Sequence, residues 1–235
     1  LQRLGAQLGT GSDLDSTSVT LSALKSNLDP SVALFADVVL SPAFPGAELD
    51  RLKKQQLAAI QQEGAQPFGM ALRVLPRFIY GVGHAYALPL TGSGYRSTVE
   101  KLTRDDVVRW HSTWFKPANA TLIVVGDTNL AEIRPKVEAA FAGWTGGDVP
   151  KKNVAAVTPK AQGVVYVYDR PGALQSTILC GHAAPPRAHP QEIPQQVMNT
   201  VLGGQFISRV NMNLREDKHW TYGAGTLLCD ARGPR

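Results

Sequence analysis

Gly203-Gly204-Gln205-Phe206-Ile207-Ser208-Arg209, with Asn213-Leu214-Arg215-Glu216-Asp217-Lys218 and Thr221-Tyr222-Gly223 behind it, is the stretch whose reading decides the fold. The paired glycines close a helix expected from Ile193 to Leu202, because glycine leaves helical geometry without steric penalty. A second helix is expected from about Phe206 to Arg215, with Val210 and Leu214 four apart on one face. The chain then returns as a strand near Tyr222. Helix, turn and strand in this order can bring the Arg215 guanidinium and the Tyr222 phenol to one cleft, where both could donate hydrogen bonds to a carbonyl or a developing oxyanion, although spacing alone does not place the side chains together. Taken by spacing alone, a surface ion pair for Arg215 and core packing for Tyr222 are the simpler readings.

Upstream of this block, Val164 to Tyr168 reads as a strand, Asp169-Arg170-Pro171-Gly172 as a turn, and Gln175 to Gly181 as another strand. Residues 146–163 break into Gly, Pro, Lys, Asn and Ala, the composition of an inter-domain linker. Residues 1–145 are therefore expected to form most of a first domain, and residues 164–235 the first part of a second.

Within the first domain, Leu1, Leu4 and Leu8 read as one side of a helix. Val19, Leu21 and Ala23 alternate with polar neighbours, the pattern of a half-buried strand. Asp29-Pro30 supplies an N-cap and an N1 proline for a helix through Val32, Phe35, Ala36 and Val39. The next helix runs from Glu48 to about Gln62, with Gly64 and Pro67 marking its end, and Phe68 to Tyr80 has helical spacing interrupted by Pro76. The glycines from Gly81 to Gly94 form a loop that lacks the Lys-Ser/Thr ending of a phosphate loop. Thr103-x-x-Asp106 caps a helix through Trp114, Ala120 to Val125 is an apolar run expected as a central strand, and Asn129 starts a helix carrying Ile133, Val137, Ala140 and Phe141. This order describes α+β domains with an antiparallel-rich sheet packed against helices; an irregular single domain is the alternative.

Composition limits the function classes. A chain of 235 residues, 43% apolar and 18% charged, can bury a substantial core and is not a disordered segment. Its 24 Lys and Arg against 19 Asp and Glu give +5, but the basic residues are scattered, which argues against nucleic acid as a partner. No run approaches the roughly 18 apolar residues of a transmembrane helix. Leu1-Gln2-Arg3-Leu4 has no leader character and Asp230 to Arg235 has no structural stop, so both ends read as those of a fragment. Cys180 and Cys229 lack Cys-x-x-Cys spacing; two free thiols and one bridge both remain open. The five histidines form no His-x-x-x-His, His-x-x-Glu-His or His-Glu-x-x-His arrangement. Gly92-Ser93-Gly94 lacks the strand and helix that flank a serine nucleophile, and Asp105 and Asp106 read as first-turn charges on a helix dipole.

The opening block, together with Asp169 to Ser176, resembles the second domain of M16-type proteins, the insulinase and mitochondrial-processing-peptidase-like family. Leu1 to Gly11, Asp15-Ser16-Thr17, the long helix before Pro67, Tyr80 to Gly92, Trp114 to Asn119, Val124 to Asp127 and Phe141 to Trp144 resemble landmarks of the first domain. The resemblance implies tandem, related α+β domains that pair around a peptide-holding chamber. It also implies a zinc site made by an inverted His-x-x-Glu-His motif and a distant Glu. With Pro67 placed at the end of the family's helix, Ala59 stands at the expected Glu ligand position, and Leu52, seven residues earlier, where a supporting acidic residue belongs. Neither side chain ligates zinc. Glu63, one turn beyond Ala59, substitutes only if the helix is shifted.

The chain therefore resembles the noncatalytic subunit of a two-chain bacterial member. On that resemblance it carries no cofactor of its own, zinc belongs to a catalytic partner bearing His-x-x-Glu-His, and the substrate is an unfolded peptide. Arg215 and Tyr222 stand where such a subunit contributes an Arg and a Tyr, in trans, to the substrate carbonyl and the tetrahedral intermediate. Two alternatives are a peptide-binding or assembly protein without catalysis and a complete zinc peptidase whose inverted motif precedes residue 1. No segment addresses a compartment; members of this bacterial type are often exported, so the resemblance allows the periplasm. The sequence does not choose between homodimer and heterodimer.

Overall fold

A computed structural model describes all 235 residues, which divide into two compact units: Leu1–Arg73 with Leu88–Asn153, and Val74–Ala87 with Val154–Arg235. The first unit opens on a hairpin of β1 (Gln7–Ser12) and β2 (Thr17–Ser22), antiparallel, with Gln7 opposite Ser22 and Ser12 opposite Thr17. Asp13 makes the turn: its Oδ1 accepts the backbone N–H groups of Asp15 and Ser16 at 2.8 and 2.7 Å. The helix expected over Leu1 to Leu8 is therefore absent. A 3-10 turn, Gln2–Leu4, stops at left-handed Gly5 (φ 59°), and pairing with β2 outweighs three leucines at helical spacing. Gly9 permits that pairing, since a Cβ there would lie 2.9 Å from Thr20 Oγ1.

Helices α1 (Leu28–Leu40), α2 (Gly46–Ala65), α3 (Pro67–Tyr80), α4 (Arg96–Val99), α5 (Arg104–Trp114) and α6 (Leu130–Ala140) follow. Val32, Ala36 and Val39 bury the apolar face of α1, and Phe35 meets Phe141 edge-on at 6.0 Å. The N-cap position of α1 is Asn27, not Asp29; Asp29 lies in the first turn and pairs with Lys136 of α6. The Thr103–Asp106 capping box of α5 is complete, and Asn129 Oδ1 accepts the Glu132 N–H at the start of α6. Pro76 lies inside α3, where its missing N–H frees the Leu72 carbonyl. That carbonyl instead accepts the Leu90 N–H at 3.1 Å, so the glycine-rich loop repairs the helix.

The second unit contains the last part of α3, then α7 (Glu192–Asn199) running into a π-helical turn, Thr200–Gly204, and α8 (Arg209–Asn211) running into another, Met212–Asp217. Tyr86 is 1% exposed, and its hydroxyl accepts the Gly233 N–H at 3.0 Å. The Arg235 guanidinium is buried against both oxygens of Glu192, at 2.6 and 3.1 Å. Cys180 and Cys229 are free thiols, and burial raises the pKa of Cys229.

The β1–β2 pair is the only sheet. The runs expected as strands at Ala120 to Val125, Val164 to Tyr168, Gln175 to Gly181 and near Tyr222 lie outside any ladder. Val125 is 92% exposed, and Val165, Val167 and Ile178 are 87% exposed. β-Propensity records how well a residue suits a paired, half-buried surface; it does not supply the partner. No helix is long and apolar enough to cross a membrane.

Candidate functional site

The chain from Asn199 to Thr226 folds back on itself, and small residues and amides hold the two limbs together. Gly203 is where they come closest: a Cβ there would lie 2.5 Å from the Thr226 backbone nitrogen, so only glycine fits. Its carbonyl accepts the Thr226 N–H at 3.0 Å. Ser208 starts α8, and its carbonyl accepts the Met212 N–H at 2.8 Å. The helix then widens into the π-helical turn that carries Arg215, a distortion frequent at functional sites. It ends at His219, left-handed at φ 56°, with the Trp220 N–H donated to the Leu214 carbonyl at 3.0 Å. A non-glycine residue in this conformation is uncommon, and it turns the chain toward Tyr222.

Arg215 lies with its guanidinium carbon 4.7 Å from the centre of the Phe206 ring and its Nε 3.2 Å from Glu216 Oε1. The aromatic face holds the flat cation by cation–π attraction, and Glu216 pairs with its Nε. Tyr222 is 88% exposed, at the centre of a small turn in which Thr221 Oγ1 accepts the Gly223 N–H at 3.2 Å. Core packing is therefore not the role of Tyr222. The residues stand on the two limbs of one turn, and no hydrogen bond joins them directly.

Asn211, which the sequence reading did not single out, is 4% exposed beneath that turn. Its Nδ2 donates to the Phe206 carbonyl at 2.7 Å and its Oδ1 accepts the Ala224 N–H at 3.1 Å. Phe206 belongs to the opening block and to the start of a helix, and nothing in its spacing marks it as a platform for Arg215. The available signal was an amide side chain one turn before Arg215, at a helical position where an aliphatic residue would ordinarily pack.

The other candidate positions lie on or beside α2. Leu52, 51% exposed, and half-buried Ala59 share one face, about 10.5 Å apart along the axis. Neither side chain has a lone pair to offer a metal. Glu63 is 21% exposed, and its Oε2 accepts from Arg73 Nη1 at 2.6 Å, Ser93 Oγ at 2.7 Å and Thr91 Oγ1 at 3.1 Å. Burial alone would raise its pKa; the bonds from Ser93, Arg73 and Thr91, with the Arg73 charge, bring it below the ordinary value. Arg73 also donates to the Gly94 carbonyl at 2.7 Å, so Glu63 and Arg73 together tie the glycine-rich loop to α2 and α3.

Comparison with known proteins places this geometry in context. Residues 101–230 match the family model described as the peptidase M16 inactive domain. The chain is 24% identical over 210 residues to the zinc protease PqqE of Helicobacter pylori, covering 86% of this chain and 46% of that protein. It is 22% identical over 209 residues to bovine cytochrome b-c1 complex subunit 1, covering 86% of this chain and 42% of that protein. The chain thus spans about half the length of these relatives. A crystal structure of a peptidase M16 inactive domain from Pseudomonas fluorescens superposes with a TM-score of 0.85 at 24% identity, covering 99% of this chain and 56% of that one.

Proposed function

Because the chain belongs to the peptidase M16 family, we propose that it is a noncatalytic subunit of an M16-type zinc metalloendopeptidase that lends Arg215 and Tyr222 to a site whose metal a partner subunit holds. The observation that carries this reading is a turn presenting a guanidinium and a phenol on a chain whose α2 offers only Leu52 and Ala59 where acidic residues would serve a metal. Both groups donate hydrogen bonds and neither needs to change protonation to do so. Aimed at the oxygen of a scissile peptide carbonyl, they bind the substrate and bind more strongly as negative charge collects on that oxygen. The unfolded peptide is the substrate class, since a backbone carbonyl must be free of secondary structure to reach them. The partner supplies the metal and its His-x-x-Glu-His motif.

A second reading, an assembly protein without catalysis, is favoured by the similarity to a cytochrome b-c1 complex subunit. Zinc content and hydrolysis of an unfolded peptide, measured on the full-length protein alone, on its genomic neighbour alone and on the two together, separate the readings. We expect turnover from the pair, and a kcat lowered about 100-fold by Arg215→Ala or Tyr222→Phe with assembly intact, the usual effect of losing one oxyanion donor. Stoichiometric zinc with activity in the isolated protein overturns the noncatalytic assignment. Unchanged turnover in both variants removes Arg215 and Tyr222 from the mechanism and leaves the assembly reading.

A further inference from the structure

We propose that Asn211 is a positioning residue for Arg215 and Tyr222, its single amide setting both limbs of the turn that carries them; its link to turnover rests on the function proposed above. Three observations converge on it. Asn211 is buried, yet both ends of its amide are matched: Nδ2 donates to the Phe206 carbonyl and Oδ1 accepts the Ala224 N–H. Phe206 is the residue whose ring lies under the Arg215 guanidinium, so the first bond fixes the platform on which the cation rests. Ala224 is two residues past Tyr222, so the second bond fixes the limb that returns with the phenol. A leucine at 211 would fill similar space and remove the partners of the Phe206 carbonyl and the Ala224 N–H, both part-buried. Aspartate would keep the acceptor for Ala224 and replace the donor to Phe206 with a carboxylate oxygen.

The test uses the full-length protein, labelled with nitrogen-15 on arginine and alanine, and its complex with the zinc-bearing subunit. In the wild type we expect the Phe206 ring, 4.7 Å from the guanidinium carbon, to displace the Arg215 Nε–H resonance. In Asn211→Leu we expect that displacement to vanish, exchange of the Ala224 amide to quicken at least about tenfold, and kcat to fall about tenfold at unchanged KM. Asn211→Asp separates the two bonds: the Ala224 amide stays protected while the Arg215 resonance moves. The double variant Asn211→Leu with Arg215→Ala should be no slower than Arg215→Ala alone, because the two act as one unit. An unmoved Arg215 resonance in both Asn211 variants overturns the proposal, as does a double variant slower by the full tenfold. If Arg215→Ala itself leaves turnover unchanged, the proposed function fails, and the Arg215 resonance still decides what Asn211 does.

Discussion

Glu63 stands one helical turn beyond Ala59, and its partners give it a role that charge alone would not reveal. Arg73, Ser93 and Thr91 all donate to one of its oxygens, and they hold its pKa down despite the burial that opposes them. A carboxyl whose folded pKa is depressed stabilises the fold above its unfolded pKa of about 4.3 and loses that contribution as pH falls through the folded value. Denaturant titrations of the wild type should therefore show stability declining below about pH 4.3, and Glu63→Gln should flatten that acid limb. Arg73→Ala should cost about 2 kcal/mol at neutral pH by leaving a half-buried carboxylate short of its charged donor. Equal acid limbs in wild type and Glu63→Gln would show that the network carries no pH dependence. Arg215 and Tyr222 stand out in the sequence only because a family pattern marks them, whereas Asn211 and Glu63 hold partners as far as 13 and 30 positions away, which residue spacing does not reveal.

Among the elements, those defined by bonds three or four residues long were the legible ones. Thr103 and Asp106 are spaced for reciprocal capping, and α5 begins where that spacing puts it. Replacing Thr103 by Ala should lower stability by about 1 kcal/mol in a thermal or urea melt, and Thr103→Ser should restore it. A melt unchanged by Thr103→Ala would mean that packing, not the cap, fixes the start of α5. Pro76 left the third helix in doubt, and the resolution lay outside it, in the Leu90 N–H that takes over the stranded Leu72 carbonyl. Strands were read least well for the same reason. The alternation of Val19 and Leu21 marks β2, but β1 hides behind Leu1, Leu4 and Leu8, which mimic a helix face, while the apolar runs at Ala120 and Val164 have strand chemistry without a strand's neighbours.

At the scale of the molecule, the α+β character and the family were both readable, because landmarks scattered over nearly the whole chain keep their order even where single ones are weak. What the sequence could not convey is how much apolar surface these two units leave uncovered. Leu122-Ile123-Val124-Val125 runs through water with Ile123 80% and Val125 92% exposed, and no backbone hydrogen bond from another segment shields it. The six residues Ala120 to Val125, mostly β-branched and without charge or proline, have the composition of a cross-β segment. Concentrated solutions of this 235-residue chain should consequently lose monomer to fibrillar or amorphous aggregate, and Val125→Lys should slow that loss about tenfold by light scattering, acting as a charged gatekeeper. Identical aggregation of the two proteins would place the sticky segment elsewhere. Residues 122–125 bear on how such a chain survives in a cell: until something lies against them they are, like Val164 to Tyr168, a stretch that a holdase chaperone would be expected to grip.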